Sequence, residues 1–120
     1  MFASDLHLML GVAAVAALLV VVVDAAIRLI SARRPGRLAS WGLMAVLILA
    51  GMAAAGGLAL LISGHTPRQW WHLMYAGFAF AMIPLADAIT LRAGARTKAL
   101  ARLIGGLIAL EVIVRLFQTG

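Results

Sequence analysis

The chain has 120 residues, 65% of them hydrophobic and 12% charged, with a mean hydropathy of +1.09. Soluble domains are roughly half apolar and a quarter charged, so this composition reads as an integral membrane protein with no room for a soluble catalytic domain. Cysteine is absent, which excludes disulfides, thiolate metal sites, iron–sulfur clusters and covalent c-type haem attachment.

Four apolar segments follow one another, each near the ~20 residues a bilayer crossing needs, and the expected fold is an all-α, integral membrane four-helix bundle forming a single domain. The opening Met-Phe-Ala-Ser-Asp has no basic region, so the first segment is expected to stay as a mature helix instead of a cleaved signal. The first span covers about 6–30, with sixteen uncharged residues between His7 and Asp24. Ser31-Ala-Arg-Arg-Pro-Gly-Arg37 then breaks the helix at Pro35 and Gly36. The second span, 38–62, runs twenty-five residues without a charge. After the short connection Ser63-Gly-His-Thr-Pro-Arg-Gln69 come a third span at about 70–91 and a fourth at about 99–117, joined by Arg92-Ala-Gly-Ala-Arg-Thr-Lys98.

Cation placement sets the orientation. Arg28, Arg33, Arg34 and Arg37 mark the first hairpin and Arg92, Arg96, Lys98 and Arg102 the second, eight of the ten Lys and Arg at one end. The positive-inside rule makes that end cytoplasmic, so the bundle runs up-down-up-down in a bacterial-type inner (plasma) membrane with both termini outside. Trp70, Trp71 and Tyr75 then form an aromatic belt at the outer interface. The formal charge of +6 is explained by these topology signals and by contacts to anionic lipid headgroups, and no nucleic acid partner is expected. Two short echoes, Asp24-Ala-Ala-Ile-Arg against Asp87-Ala-Ile-Thr-Leu-Arg, and Leu61-Ile-Ser-Gly against Phe117-Gln-Thr-Gly, are compatible with two related hairpins.

Ionisable groups are costly inside a bilayer, so each needs a reason. At the inner end Asp24 and Arg28 stand four apart, the order and spacing of a helical ion pair, and Asp87 is expected to reach Arg92. The outer half carries His7, His65, Arg68, His72, Glu111 and Arg115, the last two again four apart with the acid first. His7 and His72 open the first and third spans, which enter from the same side, so the two imidazoles are expected at equal depth and opposed across the core. Two facing imidazoles in a helix bundle suit the axial positions of a haem iron. Gly11, Ala76 and Gly77, about one turn further in, would leave room for a flat porphyrin. Arg115, Arg68 or His65 would hold the propionates, with Tyr75 at the same level, and Glu111 would accept an imidazole N–H or pair with Arg115. The competing reading is interfacial: a histidine beside tryptophans contacts headgroups. Met74 and Met82 offer a thioether ligand as a lesser alternative, methionine more often filling space in a core. Gly51, Gly56, Gly57, Gly105 and Gly106 read as close helix packing. No HExxH, GKT or GxSxG is present.

With His7, His72 and the ending Val114-Arg-Leu-Phe-Gln-Thr-Gly120, the chain resembles the small four-helix haem b membrane proteins, the cytochrome b561-like subunits and the halves of haem A synthase. The resemblance is architectural and covers the whole chain. It implies a haem b binding electron-transfer subunit or small membrane cytochrome. Cytochrome b561-like proteins usually carry two haems on four histidines, whereas no histidine lies near the inner end here, so one haem at most is implied. A protein partner, either a subunit or a redox partner, or a quinone would complete the electron route. Two further functions compete: a non-catalytic scaffold or accessory subunit of a larger membrane complex, and a small proton-coupled transporter using Glu111.

Overall fold

A computed structural model describes residues 2–31, 37–66 and 69–119, with side chains omitted at 2–4, 38, 39 and 119. Arg33, Arg34 and Arg68 lie outside the described residues. Four α-helices account for nearly all of the rest: α1 (Phe2–Ser31), α2 (Arg37–Ile62), α3 (Trp71–Ile89) and α4 (Ala95–Thr119), with no strand among the described residues. The four expected spans all form helices. The fourth begins four residues earlier than its hydropathy suggests, because its first turn carries Arg96 and Lys98 and is apolar in neither; Lys98 N–H bonds the Gly94 carbonyl there. The third stops at Ile89, where the Thr90 hydroxyl and N–H both turn back to the Ala86 carbonyl.

The end of α2 shows how a short loop is enforced. His65 N–H bonds the Leu60 carbonyl and Gly64 N–H the Leu61 carbonyl, the paired bonds of a Schellman cap. Gly64 takes the φ of +89° that this cap requires, a conformation in which a Cβ is strained. The Ser63 hydroxyl closes the cap by donating to Leu60.

Around the bundle the helices follow the order α2, α1, α4, α3. The pairs α1/α2, α1/α4 and α3/α4 pack along their lengths, whereas α2 and α3 scarcely touch. Short connections make neighbours in sequence antiparallel, so the ends of α2 and α4 meet the starts of α1 and α3. The particle measures 48 × 22 × 21 Å, and the 19 residues of α3, the shortest helix, span about 29 Å at 1.5 Å per residue.

The interior is small. Leu18, Val21, Val46, Ile83 and Ala109 form the core cluster, with Ala17, Leu43, Met82, Leu110 and Ile113 packed on it. Small residues let the backbones close in: a Cβ at Gly106 would lie 2.5 Å from Val22 Cγ2, and one at Gly105 3.2 Å from the Ala86 Cβ. Large apolar side chains such as Met9, Ile30, Met52, Phe78 and Ile104 instead face outward, each at least half exposed. Helices α1, α2 and α3 are long and apolar enough to cross a membrane; α4 carries Arg102, Glu111 and Arg115 along its length.

Among the described residues, two ion pairs tie the end of the bundle where α1 and α3 finish. Arg28 Nη2 donates to Asp24 Oδ1 at 3.2 Å within α1, with Nε 2.6 Å from Oδ2 in a geometry too bent for a second hydrogen bond. Asp87 does not pair with Arg92, contrary to the expectation from spacing. It takes a two-pronged contact from Arg102 of α4, Nε to Oδ1 at 2.7 Å and Nη2 to Oδ2 at 3.0 Å. Arg92 lies beyond the end of α3 and is exposed, whereas Arg102 projects from the α4 face turned to α3. The two echo motifs therefore differ in use: one aspartate braces its own helix, the other joins two helices.

Candidate functional site

His7 lies near the start of α1 and His72 is the second residue of α3, so both occupy the same end of the bundle on helices that face each other across its diagonal. Their rings meet there, with centroids 6.4 Å apart and planes inclined at 55°. The expected juxtaposition is thus present in the fold.

Each imidazole is held differently. His7 is half-buried and stands against the α2 backbone: a Cβ on Gly57 would come within 3.2 Å of its Cε1, and one on Gly56 within 3.8 Å of its Nδ1. Among the described residues, the buried Nδ1 has no hydrogen-bond partner. A buried polar nitrogen in that state is costly unless something satisfies it. His72 is also half-buried and donates to the main-chain carbonyl of Leu116, close to the end of α4. A carbonyl behind an imidazole N–H fixes the tautomer and aims the other nitrogen, the usual arrangement behind a metal-ligating histidine.

A cavity of about 330 Å³ opens beside His7 between α1 and α2, lined by Leu6, Leu10, Gly56, Ala59, Leu60 and Ser63. Apart from the histidine, the described residues of its wall offer one polar side chain, the Ser63 hydroxyl.

The other candidate residues are placed less centrally. His65 is exposed, its Nδ1 3.2 Å from the Ser63 hydroxyl at the loop. Tyr75 is half-buried three residues along α3 from His72. Arg115 Nε donates to Glu111 Oε1 at 3.2 Å, as their spacing predicts, and the side chains of this pair are 56% and 65% exposed, on the outward face of α4. The carbonyl of Leu116, not Glu111, takes the His72 N–H. Gly11 does not open space for a ligand, because the Phe117 ring fills it, 3.4 Å from where a Cβ would stand. Gly77 is exposed with nothing near its Cβ position, so it too lines no site. Met82 packs on the core and Met74 is half exposed.

Two contributors were not legible from the sequence as site residues. Gly57 reads there as a helix-packing glycine, and only the rotation of α1 against α2 shows that it receives the His7 ring. Leu116 acts through its backbone, which no side-chain pattern reveals.

Chemically, the pair can hold a metal ion that brings its other ligands with it. Two imidazoles on one metal, with metal–nitrogen bonds of about 2 Å, place their ring centroids roughly 6 Å apart, close to the observed spacing. Among the described residues no group of three or more His, Asp or Glu surrounds a point, so a bare ion would be left under-coordinated. A macrocyclic cofactor that brings its own nitrogen donors would need only the two imidazoles from the protein. No family model, curated protein or solved structure matches the chain.

Proposed function

We propose that this protein is a haem b binding membrane electron-transfer subunit, or small membrane cytochrome, with one iron held between His7 and His72 near the outer face. The observation that carries this reading is the 6.4 Å approach of two imidazoles on diagonally opposed helices, one with a buried nitrogen that has no hydrogen-bond partner among the described residues. All four helices would cross a bacterial-type inner membrane, with the termini outside and the basic loops cytoplasmic.

A bound haem supplies a one-electron redox couple. The chain's own residues would do the rest. His7 and His72 would hold the iron through their imidazole nitrogens. Gly57 leaves His7 room to lie against α2, and the Leu116 carbonyl orients His72. Leu6, Leu10 and Leu60 keep water from one side, which with burial tunes the potential. Among the described residues, His65 and Tyr75 are the groups at this end able to meet propionates, whereas Arg115, held by Glu111, stands on the outward face of α4. A single site near one face requires a protein partner or a quinone to complete an electron path.

The deciding measurement is the visible spectrum of protein purified in detergent, oxidised and then dithionite-reduced. A sharpened alpha band on reduction is expected, lost in both His7→Ala and His72→Ala. A folded protein that stays without the band after reconstitution with haem would refute the proposal.

The outward Glu111 and Arg115 pair favours the accessory-subunit reading as runner-up, recognised by a stable partner that copurifies without pigment. The transporter reading is weaker, since Glu111 is tied to Arg115; uptake driven by a pH gradient and abolished by Glu111→Gln would restore it.

A further inference from the structure

Helix α4 carries its charge on the wrong side for an isolated bundle. Ala109, Gly105 and Gly106 are buried against α1 and α3, and at about 100° per residue Glu111 lies about 200° round from Ala109, pointing away from the other helices. Its depth follows from the contact between His72 and Leu116. That contact puts Leu116 level with the start of α3, beside Trp70 and Trp71, so Glu111, five residues earlier, sits about 7.5 Å nearer the middle of the bundle. Arg115 pairs with it, yet more than half of each side chain remains uncovered. Hydrocarbon is a poor neighbour for such a pair, and intramembrane charges face protein or water as a rule.

The rest of this face has a definite pattern. Leu100, Ile104, Leu107, Glu111, Val114 and Gln118 are all exposed and are spaced 4-3-4-3-4, the seam of a two-stranded coiled coil. Polar residues at a few seam positions set register and strand number.

We propose that a second copy of this chain covers this face, so that the protein is a homodimer joined through α4. The charges are self-complementary. Two copies inserted the same way and related by a two-fold axis along the membrane normal bring their seams together at one depth. Each Glu111 then lies between its own Arg115 and Arg115 of the other copy, and two carboxylates meet two guanidiniums with no net charge left over. A second copy is certain to carry the matching charges at the matching depth; any other partner would have to supply an acid and a base of its own there. The inference does not depend on haem.

The cysteine-free sequence makes the test direct. Single variants Leu107→Cys and Val114→Cys, oxidised in native membranes, are expected to give disulfide-linked dimers, with Met52→Cys on the lipid-facing side of α2 as the control. Cross-linking at both α4 positions with little at Met52 supports the dimer. Equal yields at all three positions, no dimer at either α4 position, or adducts of Leu107→Cys and Val114→Cys with a different protein would overturn it. In the Leu107→Cys background, Glu111→Arg should abolish the cross-link and adding Arg115→Glu should restore it. The single-cysteine comparison remains decisive if the charge variants do not fold.

Discussion

Replacing Asp87 by Asn tests the contact between α3 and α4 at its most specific point. Arg102 meets Asp87 through two hydrogen bonds of 2.7 and 3.0 Å, and the two side chains are about a quarter exposed. Exposed ion pairs are worth about 0–1 kcal/mol, whereas breaking a fully buried pair costs about 3–5 kcal/mol. Partial exposure places this one between, and the bidentate geometry raises it within that range, so a loss of about 2 kcal/mol is expected for Asp87→Asn. Asp24 also acts on Arg102, so the guanidinium left behind is not without a counter-charge and the loss should stay below the fully buried figure. The clean quantity is the coupling energy from a cycle of Asp87→Asn, Arg102→Gln and the double variant, measured by reversible unfolding in mixed detergent micelles. A coupling of about 1.5 kcal/mol is expected; one below about 0.3 kcal/mol would show the pair solvated like a surface pair and the reasoning wrong.

At Gly106, a methyl would stand 2.5 Å from Val22 Cγ2. Gly106→Ala should therefore lower stability by about 2 kcal/mol and Val22→Ala should recover part of it in the double variant; a neutral Gly106→Ala would refute the close packing of α1 on α4. Gly64→Ala, at φ +89°, should cost about 1 kcal/mol and Gly64→Asn less, read as the shift in thermal midpoint in detergent. Gly57→Val should push the His7 ring aside and weaken the reduced alpha band while helical content by circular dichroism is unchanged; an unaltered band would separate Gly57 from the ligand site. Gly11→Ala, by contrast, meets only the edge of Phe117 at ordinary contact distance and should leave that band in place.

Helices α1, α2 and α3 are legible because apolar runs of this length have one common explanation, α4 because apolar residues still dominate between Arg102, Glu111 and Arg115, and the helical ion pairs because residues three and four apart are neighbours on any helix. The pair of Asp87 with Arg102 was not legible. It spans fifteen residues, and its formation depends on which face of α4 turns toward α3, which chain spacing does not carry. The approach of His7 to His72 falls between these cases. Counting crossings places both at one end, but the diagonal arrangement that opposes them is set by packing, with α1 lying between α2 and α4. The site's supporting contacts were hidden for a different reason. Gly57 and the Leu116 carbonyl act by absence of a side chain and by backbone, so neither leaves a chemical mark among the residue types.

The near-separation of α2 from α3 has a consequence for how the chain is made. The two hairpins meet almost entirely along α1 and α4, the first and fourth of these helices in chain order. Until α4 packs, α1 has only α2 beside it among the four helices, and the Val22 flank that Gly106 will meet waits uncovered. Helix α3 in turn has little to lean on before α4 arrives. Tertiary structure among these four helices is therefore closed by α4, and a variant that spares both histidines but lacks α4 would leave α3 without its main neighbour and His72 without the carbonyl that orients it.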